Sequence, residues 1–291
     1  MYIKCWGSRG SIPVAGREYV KYGGDTTCIE VIAKTGETVI IDAGTGIRRL
    51  GKSLLQRKKS EYYLLLTHTH WDHIMGIAFF KPLLYSNTRV FVQDRKFAGI
   101  NTKGVLNEVL KPPFFPVLLK NFKADILFDD SLNNSFKIGS LHIDMIPTSH
   151  SQGSMGYKFT EGDKSFVFLT DNELGFAHPQ SRKLEEYIKF VENASLLFHD
   201  AEYTREEYGY KTGWGHSSIP DVLDLALKAR VKKLGLIHLN QDRTDDQMDE
   251  IVKECRLFFK DKNQSKDKNQ AKDKNEPIDC FAVPHDFEIV L

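Results

Sequence analysis

Three histidines and a carboxylate lie within six consecutive positions, at His68, His70, Asp72 and His73. They follow Tyr62–Leu66, an apolar run that is typical of a buried strand. The cluster is therefore predicted at the carboxyl end of a strand, where open α/β sheets present their ligand sites. Alternation along an extended chain directs His68 and His70 to the same side, whereas Asp72 and His73 enter the following turn. Imidazole and carboxylate groups bind zinc, iron or manganese, and this spacing favours two adjacent ions over one.

Further candidate ligands also follow apolar strands, and this repeated placement is the main reason to join them into one site. Asp171 stands where a carboxylate could bridge two cations, although an Asx turn is the alternative. Asp42 could hold a metal-binding histidine through its ring N–H, or it could cap a helix or turn. The strand and ligand pairs are Leu141–Ile146 with His150, Lys164–Leu169 with Asp171, and Lys233–Ile237 with His238.

A second histidine-carboxylate pair is suggested further along the chain. His216 precedes a predicted helix over Ile219–Ala229, which Ser217 or Ser218 can cap. A helix N-terminus attracts anions, so His216 is a candidate for contact with a phosphate. A structural histidine at a helix start is the alternative. Asp200 follows another apolar strand and is the candidate partner.

Composition limits the class of protein. The chain has 291 residues, of which 41% are hydrophobic and 27% charged, and we predict a single domain over residues 1–291. A net charge of +1 gives no bulk attraction to nucleic acid or membranes. No apolar run reaches the roughly 20 residues of a membrane span, and Met1–Trp6 lacks the core of a signal peptide. Four scattered cysteines are predicted to be reduced core thiols of a cytoplasmic protein.

The predicted elements fall into two runs, Tyr2–Thr67 and Leu141–Ile237, each with associated helices. Secondary structure is hardest to predict over residues 81–135. Their Pro112–Val117 stretch is expected to be packed core or a contact in a homodimer. A pocket wall that stacks on a nucleobase is the alternative for this stretch. A six-residue repeat at about 260–277 lacks large apolar side chains, so we expect an exposed, partly helical or disordered insertion without a catalytic role.

The pattern from His68 to His73 resembles the His-x-His-x-Asp-His signature of metallo-β-lactamase-fold hydrolases, and the resemblance extends over nearly the whole chain. It implies an α/β fold of the α+β kind, a four-layer αββα sandwich with the metals at one edge between the sheets. It also implies two divalent ions, with zinc expected first and manganese or iron as alternatives. These ions would share a water of lowered pKa, whose hydroxide is the nucleophile. The implied ligands are His68, His70 and His150 for one ion, Asp72, His73 and His238 for the other, and Asp171 as the bridge; Asp72 is also counted as catalytic.

Two further elements resemble the phosphodiesterase branch of this family, which includes tRNase Z. His199–Ala201 is similar to its His-Glu-Ala element, with Asp200 in place of the glutamate, and Gly215–Ser217 is similar to its Gly-His-Ser element. The resemblance implies that His216 contacts the phosphate, beside Ser217, and protonates the leaving oxygen while Asp200 holds the imidazole. The opening Gly7–Pro13 loop is similar to that of bacterial cyclic-nucleotide phosphodiesterases. Its Ser8 could contact a phosphate, or the loop could be an ordinary turn.

The predicted activity is hydrolysis of a small phosphodiester, with a 3′,5′-cyclic nucleotide as first choice. A tRNase Z-like nuclease is the alternative, although His150 and Asp171 are too close in sequence for the long arm that often grips tRNA in that family. Nucleic acid is therefore not the favoured partner. An alternative of another class is a non-hydrolytic di-iron redox or oxygen-sensing protein. That family usually has glutamate where His70 stands and lacks a counterpart of the His216 element.

Overall fold

The computed structural model of the protein describes residues 1–151, 153–267 and 277–291, with only the backbone described at 265–267. Within these ranges the strands are β1 (Tyr2–Gly7), β2 (Cys28–Ile32), β3 (Thr38–Ile41), β4 (Glu61–Leu65), β5 (Arg89–Gln93), β6 (Lys96–Phe97), β7 (Ile100–Asn101), β8 (Asp125–Asp129), β9 (Ser135–Ile138), β10 (Leu141–Pro147), β11 (Met155–Glu161), β12 (Lys164–Leu169), β13 (Leu196–Asp200), β14 (Lys233–Ile237), β15 (Asp279–Ala282) and β16 (Glu288–Val290). The α-helices are α1 (Ile47–Gln56), α2 (Trp71–Ile74), α3 (Thr102–Val109), α4 (Leu184–Val191), α5 (Arg205–Tyr208), α6 (Ile219–Lys228) and α7 (Asp245–Asp267).

The strands form two large sheets and one small hairpin of β6 and β7. The first sheet has the order β16-β1-β2-β3-β4-β5-β8, and the second has the order β15-β14-β13-β12-β11-β10-β9. In the first sheet β3, β4, β5 and β8 run parallel, and in the second β12 to β15 run parallel. Because parallel strands end at the same edge, each sheet gathers its candidate site residues along one border.

The two sheets pack face to face over an apolar core. Val31 and Leu65 contribute from the first sheet, and Tyr157, Phe168 and Phe198 contribute from the second. All five side chains are buried. Burial of this shared layer removes a large apolar area from water and fixes the distance between the sheets.

Helices cover the outer face of each sheet. On the first sheet, Ile47, Leu50 and Leu54 of α1 form the buried stripe expected of an amphipathic helix. On the second sheet, buried side chains of α4, α6 and α7 form one cluster with β12, β13 and β14. The order of layers is therefore helix, sheet, sheet, helix. This order of layers confirms the predicted four-layer αββα fold.

Three helices that the sequence predicts have clearly different bounds in the structure. The sequence after the histidine cluster predicts a helix over Ile74–Phe80, but α2 begins at Trp71 and ends at Ile74, and a 3-10 turn follows at Ile77–Phe79. The break occurs because Gly76 donates its N–H to Ala43 O and packs directly against the Gly44 carbonyl. The sequence also predicts a helix over Gln180–Glu192, but it covers only Leu184–Val191, since the Glu186 carboxylate accepts the Lys183 N–H and sets its start.

The C-terminal helix is longer than the predicted Asp245–Phe259, and it continues to Asp267. The first part of the predicted low-complexity insertion is therefore helical. Residues 268–276 of that insertion lie outside the described residues. The last apolar side chain that α7 buries is Phe259, so the helix packs on the sheet only along its first part.

Within the described ranges, none of the helices combines the length and apolarity needed to cross a membrane. The single-domain organisation over residues 1–291, the cytoplasmic location and the homodimer stay predictions.

Candidate metal centre

Four of the predicted ligands meet at one point on the border between the sheets. The donor atoms of His68, His70, His150 and Asp171 all lie within 4.8 Å of one another. Nε2 of His150 lies 3.1 Å from Nδ1 of His70, and Nε2 of His68 lies 3.6 Å from Oδ1 of Asp171. Two imidazole nitrogens that face each other at this distance are arranged as ligands of one ion.

The second predicted ligand set lies on the other side of Asp171. Nε2 of His73 and Nε2 of His238 lie 3.1 Å and 3.2 Å from Oδ2 of Asp72. The same two nitrogens lie 3.2 Å and 3.5 Å from the Asp171 carboxylate. Asp171 therefore touches both ligand sets, which is the position of a bridging carboxylate.

The residues fit two divalent cations. Nε2 of His68 and Nε2 of His73 are buried without a hydrogen-bond partner among the described residues. A buried polar atom without a partner is costly, and both atoms are directed at the Asp171 carboxylate. Histidine nitrogens with carboxylates are a donor set that zinc, manganese and iron accept. The structure thus brings all seven predicted ligands together, and their role as ligands stays a prediction.

In four of the five candidate histidines the second ring nitrogen is held by the protein, which fixes the tautomer and the ring orientation. Oδ2 of Asp42 lies 2.8 Å from Nδ1 of His73, and Thr67 donates to the same carboxylate. Of the two roles open for Asp42, the structure shows the orienting one. The other orienting contacts are Gly215 O with Nδ1 of His150 at 3.0 Å, Thr67 Oγ1 with Nδ1 of His68 at 3.1 Å, and Glu202 Oε2 with Nδ1 of His238 at 3.0 Å.

Backbone strain accompanies this centre. Asp42, Asp171 and His238 all have positive φ, at 62°, 48° and 54°. Such conformations cost roughly 1–3 kcal/mol for residues other than glycine and persist only where the surroundings enforce them. Asp42 and His238 directly follow parallel strands, and Asp171 follows one after Thr170, so each strained turn lies at the border between the sheets.

The electrostatics of the apo site favour cations. Burial lowers the pKa of the His150 ring to about 4 and holds that of His68 well below its usual range, so both rings are neutral and can bind metal. Burial also disfavours charge on His238, but Asp171 and Asp72 outweigh it and raise the pKa of that ring. Carboxylates that attract a proton here would equally attract a divalent cation.

His216 and Asp200 form a separate pair beside the ligands. Nδ1 of His216 lies 2.7 Å from Oδ2 of Asp200, which is fully buried at the end of β13. The His216 ring stacks on that of His238 with 4.5 Å between centroids. Burial lowers the pKa of His216, but the Asp200 carboxylate outweighs it, so the pKa lies above its usual value. The Asp200 side chain is therefore long enough to reach the His216 ring.

Residues 37–239 of the chain match the family described as the Beta-lactamase superfamily domain. The chain belongs to this superfamily. Ribonuclease Z of Sulfurisphaera tokodaii is 22% identical over 272 residues, which cover 79% of this chain and 87% of that protein. The metallo-beta-lactamase fold protein YhfI from Bacillus subtilis superposes with a TM-score of 0.67 at 16% identity, covering 99% of this chain and 98% of YhfI. A diphosphatase from the PhnP family gives a TM-score of 0.62 at 15% identity, covering 100% of this chain and 97% of that one.

Likeness to solved structures at these identities shows the fold, and the domain match shows the superfamily. The predicted resemblance is therefore confirmed, and the chain is a metallo-β-lactamase-superfamily hydrolase. The ligand positions described above lie within the matched residues.

Two serines of this hydrolase are candidates for substrate contact from the sequence. The Ser8 hydroxyl is buried and donates to Val283 O at 2.6 Å. The Ser217 hydroxyl donates to Asn172 O and accepts the Leu174 N–H. Both hydroxyls contact groups of the protein in this geometry, and the phosphate contacts of Ser8 and Ser217 stay predictions. The helix cap is Ser218, whose hydroxyl accepts the Asp221 N–H.

Two buried carboxylates were not predicted. Glu202 holds His238, and it lies two residues after Asp200 in extended chain, so alternation could have indicated a side chain on the same face. Glu173 accepts the N–H groups of Gly213 and Gly215, each at 2.7 Å. No local pattern marks Glu173, because its partners lie 40 and 42 positions away in the chain.

Proposed function

We propose that this hydrolase is a metal-dependent phosphodiesterase that acts on a small phosphodiester, with a 3′,5′-cyclic nucleotide as the first candidate substrate. The observation that carries the proposal is the His216–Asp200 pair, with its 2.7 Å hydrogen bond, stacked on the ligand His238. A positioned imidazole that can deliver a proton is what an alkoxide leaving group requires.

Two divalent ions, with zinc proposed and manganese or iron as alternatives, would supply a water of lowered pKa and stabilise negative charge on the phosphate. The chain's own residues orient the metal-binding rings and protonate the leaving oxygen. His216 donates from Nδ1 to Asp200, which leaves Nε2 as the nitrogen that passes a proton to the leaving oxygen. Asp200 fixes this tautomer and stabilises the charged ring. The oriented His68, His73, His150 and His238 rings hold the metal-binding atoms in place.

A small substrate is supported by the connection between two ligands. His150 and Asp171 are joined by the antiparallel strands β11 and β12, whose turn is formed by Gly162 and Asp163 alone. This short connection supports a small substrate, because the long arm that often grips tRNA in the tRNase Z family would need many more residues between His150 and Asp171. The family resemblance of the opening loop to cyclic-nucleotide phosphodiesterases also favours a small substrate.

A ribonuclease Z-like activity is the second candidate, and the relatives favour it. The archaeal relative is named ribonuclease Z and is matched along 87% of its length. An RNA substrate would use the same His216–Asp200 pair, so the two candidates differ in the substrate and not in the chemistry. The di-iron redox alternative is disfavoured, because His70 offers an imidazole to the first ion and the His216 element has no role in it.

An activity panel tests the proposal. Metal-stripped protein is reloaded with zinc, manganese or iron and assayed on 3′,5′-cyclic AMP and GMP, bis(p-nitrophenyl) phosphate and precursor tRNA. Hydrolysis of a cyclic nucleotide supports the first candidate, and cleavage of precursor tRNA alone supports the second. If none of these phosphodiesters is hydrolysed with any of the three metals, both candidate functions are contradicted.

A further inference from the structure

Exposed aromatic side chains lie on the loop that carries His216. Trp214 stands two residues before His216 and is 59% exposed, and Phe176 is 45% exposed. The Phe176 ring lies beside the same turn, since a Cβ added at Gly213 would meet it at 3.9 Å. Nζ of Lys211 lies 3.7 Å from the centre of the Trp214 ring. Two aromatic residues and a cation are thus gathered next to the general acid.

The backbone that presents these side chains is fixed to the metal centre. Glu173 is buried and accepts the Gly213 and Gly215 N–H groups on either side of Trp214. The Phe176 carbonyl accepts from Ser149 Oγ at 2.6 Å, next to the ligand His150. Both aromatic residues are therefore held at a set distance from the ligands, as a binding surface requires.

Single exposed aromatic residues are common on protein surfaces and need no explanation. Here three features coincide: two exposed aromatic residues beside one turn, a lysine over the Trp214 ring, and a position beside the residue proposed to protonate the leaving oxygen. Two residues of extended chain span at most about 7 Å, which is comparable with the separation of base and phosphate within one nucleotide. Aromatic stacking with cationic support is the usual way in which proteins bind unpaired bases.

We propose that Phe176, Lys211 and Trp214 form a nucleobase-binding platform, on which the base of the substrate nucleotide stacks while its phosphate lies at the metal centre. This inference rests on the proposed function, because it places a base beside the reacting phosphate. It predicts a preference for nucleotides over sugar phosphates of the same charge.

Binding of adenosine 5′-monophosphate and of ribose 5-phosphate to the metal-loaded full chain tests the platform. Isothermal titration calorimetry measures both ligands without turnover. We expect the wild type to prefer the nucleotide, and Trp214→Ala to lose about tenfold in affinity for the nucleotide, with little change for ribose 5-phosphate. Trp214→Phe keeps an aromatic ring and should retain most of the preference.

Tyr85→Ala is the matched control, because Tyr85 is a 48% exposed aromatic residue whose N–H donates within its own turn to Pro82 O. It should bind both ligands like the wild type. Equal affinity of the wild type for the two ligands would overturn the platform, and so would equal losses in Trp214→Ala and Tyr85→Ala. A base preference without any phosphodiester hydrolysis would keep the platform and reject the proposed activity, so the two failures are distinguishable.

Discussion

At the scale of single residues, the candidate site consists of seven proposed metal ligands, the residues that hydrogen-bond to them and one proposed proton donor. The sequence indicates which residues meet there because each candidate ligand follows an apolar strand, and a strand end is a local pattern. It did not predict Glu202 and Glu173, because their contacts depend on which distant loop packs against them. The hydroxyl partners of Ser8 and Ser217 were also not predictable, because they are backbone groups that only the fold brings near.

The role of His216 as proton donor can be tested by comparing substrates whose leaving groups differ in basicity. His216→Ala should retain both ions but slow hydrolysis of a cyclic nucleotide by roughly 10²–10⁴, because its alkoxide must be protonated as it departs. The loss should be much smaller on bis(p-nitrophenyl) phosphate, whose leaving group needs little protonation. Asp200→Asn should show the same pattern more weakly. The measurements are kcat on both substrates and metal content by atomic absorption.

Equal losses on the two substrates would show that His216 binds phosphate without transferring a proton. Loss of an ion from His216→Ala would overturn the assignment of the ligands.

Glu202 should act through His238. Glu202→Gln replaces a charged acceptor on Nδ1 with a weaker one, so affinity for the second ion should fall by roughly 10–100-fold. A titration with a metal-competing chelator measures this loss. Glu206→Gln, at an exposed position of α5, is the control and should bind metal like the wild type. Similar affinities for both variants would contradict the orienting role.

At the scale of elements, the loop before α6 must approach the first ion closely. Gly215 has φ +94°, and a Cβ there would overlap Nδ1 of His150. Gly215→Ala should therefore displace His150 and weaken binding of the first ion. Gly162→Ala is a matched control, because Gly162 also has positive φ, at +64°, but open space around it. Both variants should lose some stability, and only Gly215→Ala should lose metal, as measured by thermal unfolding and metal content.

The C-terminal helix provides a second test at this scale. Deletion of residues 265–275 should leave the melting temperature and turnover nearly unchanged, because the buried face of α7 ends at Phe259 and the deleted sequence lacks large apolar side chains. A shortened chain that is insoluble, or that loses most of its activity, would show that the repeat has a structural or catalytic role.

At the scale of the whole molecule, the two runs of strands in the sequence correspond to the two sheets. The family signature made the αββα order predictable, and apolar strands such as Thr38–Ile41 and Lys164–Leu169 were bounded correctly. The strands β8 and β9 were not predicted, since they are partly exposed edge strands with weak alternation. The predicted helix bounds are wrong where a tertiary contact sets the end of the helix, as the packing of Gly76 on Gly44 shows.

We propose that seven side chains from both sheets would hold two metal ions, at which a phosphodiester would be hydrolysed. The most direct test is to add zinc stepwise to metal-stripped protein and measure hydrolysis of bis(p-nitrophenyl) phosphate at each ratio. We predict no activity without metal and a rise that saturates at two equivalents per chain. Activity that saturates at one equivalent, or that is unchanged by metal removal, would contradict the account.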